Sequence, residues 1–129
     1  MEFEVKSPIL GFDDLEKVEL TRVDEFFSSL KNSINPLPAF TLVNPYVLRE
    51  YSFDVPASAK VLLDLKDDSK VEVYNIVVLQ NPIEKSAVNF LAPLIFNHAN
   101  NTMVQVILDS RENPDFGVAQ EIELFLKKD

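Results

Sequence analysis

Catalysis and metal binding need particular side chains brought together, and this sequence offers few of them. Its one histidine, His98, stands in a polar run, Asn97-His98-Ala99-Asn100-Asn101. A lone loop histidine reads as a solvated side chain before it reads as a base. Cysteine is absent, so no disulfide and no thiolate metal site can form, and a single imidazole makes no zinc set. Ser7, Ser58 and Ser86 have no histidine partner from which a Ser-His nucleophile could be assembled. The acidic pairs Asp13-Asp14, Asp24-Glu25 and Asp67-Asp68 fall in loops or at element starts. None has the alternating ligands and central glycine of a calcium loop. Two glycines, Gly11 and Gly117, cannot build a phosphate cradle. The expectation is a non-enzyme with no cofactor and no metal.

The charge points toward proteins as partners. Against 12 basic residues stand 21 acidic ones, a formal net charge of −9. A negative surface repels phosphate backbones, which argues against direct nucleic-acid binding. It favours basic partners and speeds encounter with them, although excess carboxylate also serves solubility alone. An aromatic nucleic-acid platform would need a basic groove beside its rings. The ten Phe and three Tyr have no basic stripe beside them, and most Phe sit at alternating or helical positions that suit a core. The opening residues carry no basic region followed by an apolar one, so no secretory signal is expected. The longest apolar runs, residues 76–79 and 90–96, fall far short of the roughly 20 residues that span a bilayer. A cytoplasmic setting, with no membrane contact, is the expectation.

The elements that would position any site are mostly strands. A chain of 129 residues with 47% apolar side chains suits one domain with one core. Eight prolines break it into short apolar runs. Phe3 and Val5, Val18 and Leu20, Phe40 and Leu42, and Val71, Val73 and Asn75 alternate with polar or opposite-face residues. Val104, Val106 and Leu108 do the same, with Ile107 apolar on the other face. A period of two marks a strand with one buried face. Residues 76–79 are apolar on both faces and predict a central or sandwiched strand. Residues 24–30 read equally as a helical turn or a strand. Two helices are expected. Residues 56–65 place Ala59, Leu62, Leu63 and Leu65 at helical spacing behind Pro56. Residues 114–128 place Val118, Ile122, Phe125 and Leu126 on one stripe, with Glu121 and Glu123 early and Lys127 and Lys128 late. The predicted fold is mostly β: a single-domain antiparallel barrel or sandwich over residues 1–129, with one short internal helix and a C-terminal helix.

Two stretches resist a simple element. Residues 44–56 mix aromatics, charges and two prolines. One reading is a packed connector. The other is a rigid loop that presents partner-binding residues: Asn44, Tyr46, Glu50, Tyr51 and Asp54, with the tyrosines as anchors and the acids meeting basic groups. If that connector is not the interface, the Asp13-Asp14-Glu16 segment is the next choice. Residues 86–97, followed by 105–108, set Asn89, Pro93 and Gln105 among apolar neighbours. Pro93 cannot donate to a ladder and implies an edge or a bulge. Asn89 and Gln105 are expected to brace that irregularity through fixed amide hydrogen bonds.

These stretches, in order, resemble the FliW family of flagellar assembly factors. The resemblance rests on Asn89, Ala92-Pro93, Asn97 and Gln105-Val106-Ile107-Leu108. Upstream it includes Leu10-Gly11-Phe12 followed by acids, with Asp13 where the family usually has Glu, and then Asn44-Pro45, Tyr51-Ser52-Phe53-Asp54 and Pro56. It runs over nearly the whole chain. It implies a barrel-like β fold without catalytic residues and two competing partners: flagellin, and the basic RNA-binding regulator CsrA that represses flagellin translation. It also leaves open a narrower role, that of a flagellin chaperone with no part in translation.

Overall fold

The computed structural model describes residues 1–66 and 69–126 of the chain. Asp67, Asp68, Lys127 and Lys128, which entered the reading above, lie outside the described residues.

Among the described residues nine strands form one sheet. The strands β1 (Glu2–Ser7), β2 (Lys17–Arg22), β3 (Phe27–Asn32) and β4 (Ala39–Val43) make an antiparallel meander. After the connector comes the helix α1 (Ala57–Leu63), then β5 (Val71–Val78), β6 (Ala87–Val88), β7 (Leu94–Asn97), β8 (Thr102–Gln105) and β9 (Gln120–Glu121). β5 pairs with β4 and with β7, β7 pairs with β8, and β8 returns to lie parallel to β1. Seven strands thereby close a barrel, with β6 and β9 as a flap extending from β5. The pairing is antiparallel except at β1–β8, where strands far apart in sequence meet. Closure removes the exposed sheet edges that would otherwise invite association.

Of the alternating residues, Val73, Asn75, Val104, Val106 and Leu108 face the outer layers and Val71 is 42% exposed, while the rest turn to the barrel interior. Phe3, Val18, Leu20, Leu30, Leu42, Tyr74, Leu94, Phe96 and Met103 pack there, with Phe3 edge-on to Phe96 at 5.0 Å. β7 is buried on both faces: Leu94 and Phe96 point inward, while Ile95 lies beneath α1 with Val104 and Val106. α1 supplies Ala59 and Leu63 to that outer layer. Burying a leucine such as Leu63 completely contributes about 2 kcal/mol. The helix ends where Asp64 turns left-handed at φ 51°, and Asn97 and Asn100 each donate an amide N–H to the Leu63 carbonyl at 2.9 Å. Those side chains satisfy a carbonyl that a helix terminus leaves without a partner.

Four expectations need correction or completion. The C-terminal helix expected over 114–128 does not form among its described residues, 114–126. Residues 114–119 are irregular, β9 follows, and a single 3-10 turn covers Ile122–Phe125. Strand pairing with β6 and burial of Phe116, Ile122 and Phe125 against the barrel outweigh the helical spacing. Residues 76–79 do not make a strand covered on both faces. β5 is central in its hydrogen bonding, but Val78 and Leu79 are 59% and 50% exposed because the helix covers β7 and β8 instead. The expected strand over 104–108 is regular only to Gln105; beyond it Val106 and Leu108 donate to the carbonyls of Pro93 and Leu91 at 2.9 and 2.7 Å. Pro93 accepts there and cannot donate back, so the ladder is one-sided. Residues 24–30 resolve into a turn and then β3: Asp24 Oδ1 accepts from the Phe26 and Phe27 N–H groups at 2.8 Å.

Candidate partner-binding surface

The connector between β4 and α1 lies against the outer face of β5. Asn44 caps a 3-10 turn over Pro45–Val47, its Oδ1 accepting from the Tyr46 N–H at 3.0 Å. Tyr46 is 55% exposed and packs edge-on against Tyr51 at 6.2 Å. Tyr51 itself is buried. Its hydroxyl donates to the Phe90 carbonyl at 2.5 Å and accepts from Asn75 Nδ2 at 3.1 Å. Burial pushes this phenol up to about 12, with the Asn75 hydrogen bond opposing. Tyr51 is therefore a fastening inside the protein, and the expectation that it anchors a partner is corrected by its burial. Glu50 and Asp54 are exposed. Of the five connector residues, Tyr46, Glu50 and Asp54 offer side chains to a partner, while Asn44 caps and Tyr51 locks.

Arg49 is the connector residue that sequence reasoning undervalued. Its guanidinium sits 5.0, 4.8 and 4.9 Å from the ring centres of Phe90, Phe116 and Phe125. It also donates to the Asp115 carbonyl at 3.3 Å and to Gln120 Oε1 at 3.2 Å. Cation–π attraction of this kind contributes about 0.5–2 kcal/mol. Arg49 thus ties the connector to the C-terminal segment. The only sequence signal would have been the aromatics Phe116 and Phe125 at a spacing that suits neither helix face nor strand face.

The Asn89–Pro93–Gln105 group holds main chain. Asn89 Oδ1 accepts from the Leu91 N–H at 3.1 Å, and the Asn89 carbonyl accepts from Asn75 Nδ2 at 2.9 Å. Gln105 Oε1 accepts from the Leu10 N–H at 2.7 Å, and its Nε2 donates to the Ala92 carbonyl at 3.5 Å. Pro93 is buried at the entry to β7. Gln105 therefore joins the turn after β1 to the turn before β7. In that first turn Gly11 adopts φ +89°, a conformation side chains resist, although a Cβ there would meet nothing within 4 Å.

That bracing frames a groove of about 400 Å³ whose wall carries no charged side chain. Leu10, Phe12, Phe40, Val78, Ile107 and Val118 are among the residues that line it. Several of these are strongly exposed: Leu10 76%, Val118 65%, Ile107 61% and Val78 59%. Exposed apolar side chains gathered in one groove make it a candidate interaction surface. Val118 reaches it because residues 114–119 are irregular and not helical.

The single histidine is engaged structurally. His98 Nε2 contacts Glu72 Oε1, its ring stands edge-on to Phe3 at 5.2 Å, and the Tyr74 hydroxyl donates to Glu72 Oε2 at 2.8 Å. Among the described residues no group of three or more His, Asp and Glu side chains is placed to hold a metal ion, and no helix is long and apolar enough to cross a membrane.

Known proteins match this chain over its whole length. The sequence model of the FliW protein family covers residues 1–122. The flagellar assembly factors FliW 2 and FliW 1 of Wolinella succinogenes are 50% and 51% identical, over 100% and 99% of this chain and 95% and 100% of their own lengths. The flagellar assembly factor FliW of Sulfurimonas denitrificans is 41% identical over 99% of this chain and 100% of its own length. A crystal structure of the flagellar assembly factor FliW superposes with a TM-score of 0.85 at 22% identity, over 99% of this chain and 88% of that one. At that identity the superposition speaks for the fold, and it agrees with the closed barrel and single helix described above. With the family model spanning nearly the whole chain and relatives at half identity, this protein belongs to the FliW family.

Proposed function

We propose that this chain is a non-catalytic flagellar assembly factor of the cytoplasm that binds flagellin and antagonises a CsrA-type RNA-binding regulator. The observation that carries the reading is membership of the FliW family across residues 1–122. The geometry supports it with exposed recognition groups on a closed, rigid barrel, an arrangement in which loops bind while the scaffold holds them. The charge of −9 suits a basic regulator. The physical logic is exchange: one limited protein links two ligands, so a change in one shifts the occupancy of the other. Flagellin that accumulates captures the chain and frees the regulator to repress translation; export of flagellin releases the chain to bind the regulator. A narrower reading, a flagellin chaperone with no part in translation, draws on the uncharged apolar groove, which suits shielding of an aggregation-prone segment. Pull-down with purified regulator, and separately with purified flagellin, tests both. The proposal expects two complexes. Capture of flagellin alone leaves the chaperone reading, and capture of neither overturns both.

A further inference from the structure

Two acidic depressions adjoin the apolar groove. Phe12 lines both the groove and a depression that contains Asp13 and Asp14. Ile107 lines both the groove and a depression that contains Asp54, Asp109 and Glu112, and with Gln105 it also borders an uncharged one. Neither acidic depression has a Lys or Arg in its wall. Asp109 is held by Arg111 at 3.0 Å, whereas Asp13, Asp14, Asp54 and Glu112 form no ion pair with a described residue. Apolar groove and acidic flanks thus meet at two separate residues, Phe12 and Ile107. The apolar stretch would drive binding by burial. The flanks would set register and orientation, since like charge placed there is costly and opposite charge is attracted.

We infer that this groove docks a protein segment with apolar side chains in its middle and a Lys or Arg beyond each end. The inference rests on the reading of the chain as a protein-binding factor and adds to it the place and the chemistry of one bound segment. The two depressions also overlap the surfaces expected from sequence: Asp54 belongs to the connector, and Asp13-Asp14 to the segment near the N-terminus. Those two acidic regions are then the two flanks of one site, joined by the groove.

Selection of a random linear peptide library on the intact chain tests this, with the Leu10→Glu/Val118→Glu variant as comparison. Both residues are exposed, so thermal melting of the variant should match the parent. Selected peptides should carry apolar centres with basic residues at both ends. Their affinity should fall by about tenfold or more on the groove variant, as loss of a central apolar contact does. The Asp13→Lys/Glu112→Lys variant should lose the preference for basic ends. Peptides that bind the groove variant as they bind the parent, ends without basic preference, or a selection that yields no groove-dependent peptide would each overturn the inference. A parent that selects basic-ended, groove-dependent peptides yet binds neither flagellin nor the regulator upholds the site and removes the function proposed above.

Discussion

Replacing Tyr51 by Phe removes one oxygen and leaves every ring contact in place. The oxygen donates to the Phe90 carbonyl and accepts from Asn75 Nδ2, and the residue is only 6% exposed. Its loss leaves a carbonyl and an amide N–H short of a partner in a region that water does not reach freely. A buried polar group left unsatisfied costs roughly 1–3 kcal/mol. At about 2.1 cal/mol/K per residue the chain unfolds with an entropy near 0.27 kcal/mol/K, so a loss of about 2 kcal/mol lowers Tm by about 7 °C. The phenol adds a second signature. Burial holds its pKa up at about 12 against an ordinary 10.0, so the folded state favours the protonated form. The stability that it contributes is whole below about pH 10 and is lost as pH rises from 10 toward 12. The Tyr51→Phe variant has no such loss. Urea unfolding at neutral pH should therefore separate parent and variant clearly, and the gap should close as pH approaches 12. Tyr46→Phe, at an exposed position, should stay within about 0.5 kcal/mol of the parent at neutral pH. An unchanged Tyr51→Phe midpoint, or a gap that widens with pH, would refute the placement of this hydroxyl.

Other outcomes follow from the same contacts. Arg49→Met keeps an apolar stem but loses the cation over three rings and three hydrogen bonds; it should cost about 1–3 kcal/mol in urea unfolding, and Arg49→Lys should recover only part of that. Gly11→Ala meets open space but an unfavourable φ, so calorimetry should register a loss of about 1 kcal/mol, not the larger loss of a steric clash. Glu50→Lys with Asp54→Lys should leave Tm nearly unchanged and slow association with the basic regulator in stopped-flow. Binding by the parent should weaken steeply with salt, since such attraction is screened beyond about 8 Å at physiological ionic strength. Binding that is flat in salt and blind to both lysines would move the interface elsewhere.

Most of the barrel was legible in the residues because a strand with one buried face writes its period directly. Phe3, Val18, Leu20 and Leu42 alternate and all line the interior. The short helix was legible from Pro56 and its apolar spacing, and it forms over Ala57–Leu63. The parallel β1–β8 closure was not, because register between distant strands leaves no local mark. The C-terminal segment misled because Val118, Ile122, Phe125 and Leu126 fit a helical stripe. In the fold Ile122 and Phe125 are claimed by the outer layer of the barrel, and Val118 by the groove. At the surface, composition marked the connector but could not separate Tyr46, which faces out, from Tyr51, which faces in. The difference lies in Asn75 and Phe90, partners supplied by β5 and by the turn before β7. The groove was hidden for a related reason. Leu10 and Phe12, Ile107, and Val118 come from segments far apart in sequence, and long-range contacts such as the hydrogen bonds of Gln105, that of Phe90 to the Gly117 carbonyl and the pairing of β9 bring them together.

Under the proposed function one chain exchanges two protein partners. Size-exclusion chromatography of the purified chain with a CsrA-type regulator, to which purified flagellin is then added in rising amounts, tests it most directly. A chain–regulator complex should give way to a chain–flagellin complex, with the regulator released at its own elution position. A regulator that never co-elutes with the chain, or one that stays bound while flagellin remains free, would contradict it.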